Sequence, residues 1–414
     1  MALVPTSLDE IDFWDLDMFE FGDPHAAWKL QRDQAPVWWH ERPGGEPFWS
    51  IARYDDCHAV HADPRLFSSE RDGIVIRTDE QLRNDDVGSL GFNPMIHTDP
   101  PRHAPLRKVI SHNFTPRAIA QLEDQLRGFA TRCLDEAAER RAVDFVNDIA
   151  HRIPAAIAFA LMGVPEDRWA RLAELEHMTV SSSDPEFTHG KSASEAAAAA
   201  SGELFGYFAE LIQERAKEPG DDLLSQLLAG HVRGEKLPWQ QVVAEAGLLL
   251  AGGLDTTRAA ASAGGMLPLL ERPDQLRDLQ EDPSLLSTAV DEFVRWASPI
   301  TSEARTVTGE TELGGQRLRE GDRVVMWSPS CNRDEAHFDE PFRFDIRRQP
   351  NRHLSFAYGE HYCLGVHLAR LTLKVEFDEL FRRFRTFELA GDAVRVRSNF
   401  VGGLKHLPVV LTPR

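Results

Sequence analysis

Cysteine is scarce in this chain, and its few copies are never close together. Cys57, Cys133, Cys331 and Cys363 are the only four in 414 residues. Without a Cys-x-x-Cys pair, neither a common zinc site nor a dense disulfide framework is expected, and a reducing, cytoplasmic compartment fits best. Positive charge is also short. The 46 Lys and Arg face 66 Asp and Glu, leaving a net charge of −20, which argues against a general nucleic-acid binder. The longest apolar run, Ala155 to Val164, is too short for a membrane span of about 20 residues. The first 23 residues are acidic and lack the basic-then-apolar order of a signal peptide, so a soluble protein away from membranes is expected. No Gly/Ser tract, charge block or repeat offers a place to cut, and residues 1–414 are expected to form a single domain with an acidic N-terminal segment, 1–23. A strand-borne Gly-x-Gly-x-x-Gly is missing too, so no flavin or nicotinamide domain is expected.

What the chain does have is a distinctive loop near its C-terminal end, Phe356-Ala-Tyr-Gly-Glu-His-Tyr-Cys363-Leu-Gly365. A helical pattern follows at once through Leu364, Leu368, Leu371 and Val375. Cys363 thus stands at a helix entrance, where unpaired amides and the helix dipole favour a thiolate. Gly359 and Gly365 let the backbone turn and approach closely. A thiolate in a glycine-lined loop beside an aromatic suits haem ligation.

A second pattern is Ala251-Gly252-Gly253-Leu254-Asp255-Thr256-Thr257, inside a helical stretch from Trp239 to about Leu270. Paired mid-helix glycines cost roughly 1 kcal/mol each relative to Ala. They would admit a flat cofactor, with Thr256 bonding to a locally distorted helix. Two further features concern charge. From Pro100 to Leu122 there is no acidic residue, while Arg102, His103, Arg107, Lys108, His112 and Arg117 are present. His103 and Arg107 share a helix face and can both reach an anion. Glu292 and Arg295 form an i,i+3 pair on another helix.

Other elements are read locally. Pro24 to Gln34 and Tyr54 to Ala62 are predicted helices, with a hairpin between them turning at Gly44-Gly45. Ser68 to Met95 reads as a long irregular connection. Helices are predicted over Arg117–Arg140 and Ile149–Met162. The region from Ser181 through Ala196–Ala200 reads either as a loose lid or as one alanine-rich helix.

In order, spacing and type these segments resemble the bacterial soluble members of the cytochrome P-450 family, from about Trp28 to the C-terminus. The resemblance implies a mainly α fold with small β-sheets: a triangular prism with haem between the long glycine-containing helix and the Cys-loop helix. It implies haem b, with Cys363 as the iron's thiolate ligand. His103, Arg107, Arg305 and His361 would bind the propionates, and Gly252, Phe356 and Gly365 would lie against the cofactor. Asp255 and Thr256 match the acid–alcohol pair that supplies protons for splitting O₂, and Glu292 with Arg295 matches a buried ion pair that holds the Cys loop. The stretch after Ser68 and the region near Ser181 would border the substrate, and Ile300 to Ser302 would face it. The implied partners are a hydrophobic small molecule (terpenoid, steroid, fatty-acid-like or aromatic), O₂, and a ferredoxin with its NAD(P)H-dependent reductase, serving a monomeric monooxygenase. The basic face around Lys108 would dock the acidic ferredoxin. Alternatives are a peroxide-driven peroxygenase and a non-catalytic haem sensor or carrier. Departures from the family pattern are Arg102, Pro105, Ala357 and Arg258, none of which removes a group the reaction needs.

Overall fold

The computed structural model describes residues 5–79, 82 and 92–414. Within the segment 68–95 expected to border the substrate, residues 80, 81 and 83–91 lie outside the described ones. Short elements start where their capping signals are. Asp23 accepts from the amides of His25 and Ala26, Pro24 occupies the first turn, and the helix Pro24–Gln34 follows. The hairpin Val37–His40 with Phe48–Ile51 pairs antiparallel as its alternating pattern predicts.

That hairpin forms the edge of a five-stranded sheet. Phe48–Ile51 runs parallel to Arg323–Trp327, with Val324 opposite Trp49. Arg323–Trp327 in turn pairs antiparallel with Ser302–Val307, and Phe67–Ser68 closes the far side. Sequence order and spatial order therefore differ, and strands over 270 residues apart in number are neighbours. Phe13, Trp28, Phe48 and Trp327 are buried together against this sheet.

The larger part of the molecule is helical. Glu123–Arg140, Leu286–Ala297 and Val366–Arg383 pack around one buried cluster that includes Phe145, Phe293, Phe344 and Phe377. A second cluster joins Arg152–Leu161, Trp169–Val180, Ala193–Lys217 and Trp239–Gly253. Among the described residues no helix is long and apolar enough to cross a membrane.

Three expectations change. The helix predicted over Arg117–Arg140 is two, Pro116–Ala120 and Glu123–Arg140, because the chain closes its first piece with Gln121 bonding back to Ala118. Of the two readings near Ala196–Ala200, the helix holds. Ala193–Lys217 is a single helix of 25 residues, started by a Ser192–Glu195 capping box. It is preceded by the short helix Pro185–Thr188. The stretch Trp239–Leu270 is helical but not regular. It breaks at Leu254, resumes at Asp255–Ala259, and passes through a π-helical segment, Ala260–Met266.

Candidate active site

The Cys loop is built from its supports inward. Arg295 donates from Nε to Glu292 Oε2 and from Nη2 to Glu292 Oε1, both at 2.7 Å, and neither side chain reaches solvent. Arg295 Nη1 also donates to the carbonyls of Asn332 at 2.8 Å and Pro341 at 2.9 Å. Glu292 accepts further from the Asp345 amide and from Asn351 Nδ2. Asn332 carries the linkage onward: its Oδ1 accepts from the Leu354 amide at 2.7 Å and its Nδ2 donates to Ser355 Oγ at 2.8 Å. Leu354 and Ser355 lead directly into Phe356. A buried ion pair with every lone pair engaged thus fixes the entrance of the loop.

Within the loop, the Cys363 amide donates to the Phe356 carbonyl at 2.9 Å, so the two named ends are pinned together. The Phe356 ring is buried under the Arg370 guanidinium, 5.2 Å from the ring centre. Gly359 has φ +70°, and a Cβ there would lie 2.7 Å from the His61 carbonyl, so both conformation and space require glycine. At Gly365 a Cβ would stand 4.0 Å from Cys363 Sγ. Burial pushes the Cys363 thiol up, and the Gly365 amide and Arg107 offset this only in part. The helix begins at Val366, three residues beyond the sulfur, and the dipole is felt only within the first turn. A metal ion facing the sulfur removes its proton outright.

Cationic and imidazole groups converge beside the loop. His361 is buried, with Nε2 3.2 Å from Ser69 Oγ and Nδ1 left without a partner. Its pKa falls to about 2 through burial and then the neighbouring Arg305, His103, His61 and Arg107. His103 packs against His361 with ring centres 4.3 Å apart. Its Nδ1 is already 3.2 Å from Glu360 Oε1, so it shares its anion-facing role with a carboxylate of the loop. Arg107 has no hydrogen-bond partner among the described residues. Arg305 is buried and donates to the Ala304 carbonyl and to Glu303. Two guanidinium groups beside two imidazoles form a cradle of donors for anionic groups.

Across from the cradle, Gly252 is exposed although it lies mid-helix, and a Cβ there would meet nothing within 4 Å. Thr256 Oγ1 donates to the Gly252 carbonyl at 2.7 Å and faces the same open space. An exposed glycine on the long helix, and a cysteine loop with guanidinium and imidazole groups beside it, suit a slot for a flat, diacidic, metal-centred ring. Haem has these properties, and Cys363, His103, Arg107, Arg305 and His361 are the residues that would hold it.

The acid–alcohol pair is not one hydrogen-bonded unit. Asp255 is fully buried and its carboxylate turns away from Thr256, toward His177 Nδ1 at 2.9 Å and Arg258 Nε at 3.2 Å. Burial would raise its pKa, but Arg258 and then His177 hold it well below the usual carboxylate range. His177 and Glu176 escape any local reading of the sequence. They lie 78 and 79 positions from Asp255, with no motif around them, and Arg258 stands out only as a departure from the family pattern.

The cytochrome P-450 family profile matches residues 18–406. The chain is 39% identical to cytochrome P-450 126 of Mycobacterium tuberculosis, over 98% of each chain. It is 34% identical to linalool 8-monooxygenase of Pseudomonas putida, over 98% of this chain and 100% of that one. The solved structure of cytochrome P450 CYP268A2 of Mycobacterium marinum in complex with pseudoionone superposes with a TM-score of 0.88 at 33% identity, covering 99% of this chain and 98% of that one. Loop, cradle and slot thus stand in a chain that belongs, over nearly its whole length, to the cytochrome P-450 family of haem-thiolate monooxygenases.

Proposed function

We propose that Cys363 is the thiolate ligand of haem b in a monooxygenase that oxidises a hydrophobic small molecule with electrons from a ferredoxin. The observation that carries this reading is the pinned loop: Cys363 tied to Phe356 and, through Asn332, to the buried Glu292–Arg295 pair. His103, Arg107, Arg305 and His361 take the propionates, and Gly252 with Gly365 leaves room for the ring. When haem is bound, dioxygen is reduced and split there, one atom entering the substrate and the other leaving as water. Two electrons and two protons are consumed in each such turnover.

The chain's own residues supply the protons and exclude water. Asp255 is the buried acid and Thr256 the hydroxyl that presents a proton in the slot. Because Asp255 turns away, it delivers its proton by swinging about its side chain or through an intervening water. Linalool and pseudoionone, named with two similar proteins, are compact and apolar, which supports a terpenoid-sized substrate within the broader hydrophobic class. Ferredoxin fits the locally basic face of Arg107, Lys108, His112 and Arg117 on an acidic protein. A monomeric, cytoplasmic enzyme accords with the four unpaired cysteines.

Reduced protein under carbon monoxide should show the red-shifted Soret band of thiolate ligation, and Cys363→Ala should lose it. Retention of that band in the variant would assign the thiolate elsewhere. A panel of terpenoid, steroid, fatty-acid and aromatic ligands, read by the haem spin-state shift, then ranks the substrates.

A further inference from the structure

The helix Trp169–Val180 brings two adjacent residues to Asp255 that the reading above leaves without a role. His177 Nδ1 lies 2.9 Å from Asp255 Oδ2 and 3.1 Å from Oδ1. On the other side of the ring, Arg258 Nη1 lies 3.3 Å from Nε2. A guanidinium only donates, so Nε2 accepts and Nδ1 carries the proton shared with the carboxylate. The ring is thereby set as the neutral Nδ1–H tautomer.

Glu176 faces the same cluster and is 2% exposed, with neither carboxylate oxygen partnered. Burial and then the charge of Asp255 hold its carboxyl well above the ordinary range, so it stays protonated. His151, its ring 6.2 Å from that of His177, is pushed down to about 4 by burial and is neutral as well. Phe187 meets the His177 ring edge-on at 4.0 Å. Asp255 and Arg258 are the opposed charges at the centre of the cluster, 3.2 Å apart. Glu176, His177 and Asp255 have ligand atoms within 4.8 Å of one another, but Arg258 already supplies the positive charge that a metal ion would bring. Asp255 is sealed from solvent, whereas the His177 side chain is 12% exposed.

We propose that His177 carries protons from solvent to Asp255, positioned for this by Arg258. This rests on the reading of Asp255 as the acid. A hydronium proton adds to Nε2 as the Arg258 hydrogen bond yields, leaving water. The Nδ1–H bond breaks as the Asp255 O–H bond forms. No charge remains on the ring, since an imidazolium beside the Arg258 guanidinium is disfavoured. Rotation of the imidazole then brings Nδ1 to solvent, where it takes a proton from hydronium while Nε2–H passes its proton to water, which restores the starting tautomer. His177 acts through Asp255 and does not itself touch the reacting atoms.

The first test uses haem-loaded protein in its diamagnetic ferrous carbonyl form, labelled with ¹⁵N-histidine. The His177 ring nitrogens should report the Nδ1–H tautomer, and the ring pKa should fall in Asp255→Asn. An Nε2–H tautomer, or a titration indifferent to Asp255, overturns the proposal without any variant of His177 having to fold. The second test uses the haem-loaded enzyme with ferredoxin and reductase. His177→Gln keeps a donor toward Asp255 but cannot carry a proton. Its kcat should fall about tenfold at unchanged KM, with an enlarged solvent isotope effect. That is less than the roughly hundredfold or more of a positioned acid–base group, because water substitutes in part. The double variant with Asp255→Asn should be no slower than Asp255→Asn alone. If Asp255→Asn slows turnover while His177→Gln leaves kcat and the isotope effect unchanged, His177 is excluded and Asp255 stands. If neither variant slows turnover, the reading of Asp255 falls and this proposal with it.

Discussion

In the proposed reaction the Thr256 hydroxyl would separate productive from wasteful use of electrons. Thr256 Oγ1 is bonded to the Gly252 carbonyl and faces the open slot. Thr256→Ala should therefore bind substrate with an unchanged spin-state shift and accept electrons normally. Its product yield per NAD(P)H should fall roughly tenfold or more, with hydrogen peroxide accounting for the difference. Product-to-NAD(P)H stoichiometry with a peroxide assay checks this, and full coupling would make the hydroxyl merely a helix fastener. Residues of this kind are partly legible in sequence. Gly252, Asp255, Thr256 and Cys363 sit in short patterns whose oddity, paired glycines in a helix or a cysteine after a glycine turn, needs a reason. Their partners do not. His177 belongs to an ordinary amphipathic helix, and only packing sets it against Asp255. The burial of Cys363 is hidden for a related reason. Sequence shows the helix that follows but not the burial, and burial outweighs the nearby amide and Arg107.

Among the elements, the helix Leu286–Ala297 has the clearest structural duty. Glu292 holds Arg295, the Asp345 amide and Asn351 at once. Replacing Glu292 with Ala should leave a buried guanidinium uncompensated and cost about 3–5 kcal/mol. Denaturant titration should show that loss, and haem content after purification should drop because Asn332 no longer steadies Leu354 and Ser355. An intact haem load at wild-type stability would show that the pair is dispensable to the loop. The spacing of Glu292 and Arg295 is visible in sequence, yet such pairs are common on exposed helix faces, and the carbonyls that complete this one come from residues 332 to 343. Helix starts were legible where a cap was present, as at Asp23 and Ser192. The break near Gln121 and the π segment Ala260–Met266 were not, since both keep the helical spacing of apolar residues and differ only in which amide meets which carbonyl.

For the whole molecule, charge asymmetry would steer the proposed encounter with ferredoxin. The chain carries −20 overall, yet Arg107, Lys108, His112 and Arg117 lie in a stretch with no acidic residue. Lys108→Glu should slow electron transfer from ferredoxin at low salt and flatten its dependence on ionic strength, while substrate binding stays unchanged. Stopped-flow reduction across a salt series measures this, and an unaltered rate would move the docking site elsewhere. The mixed sheet has a consequence of another sort, in the order of events as the chain is made. Phe48–Ile51 has its second edge covered only by Arg323–Trp327. At ordinary ribosomal speeds the later strand emerges roughly tens of seconds after the earlier one. Through that interval Trp38, Trp39, Phe48 and Trp49 sit on a hairpin with an open edge, the kind of surface that recruits other chains. Cys363 is synthesised later still. The nascent protein thus has to be shielded for most of its synthesis, and it captures its cofactor as one of its last acts of maturation.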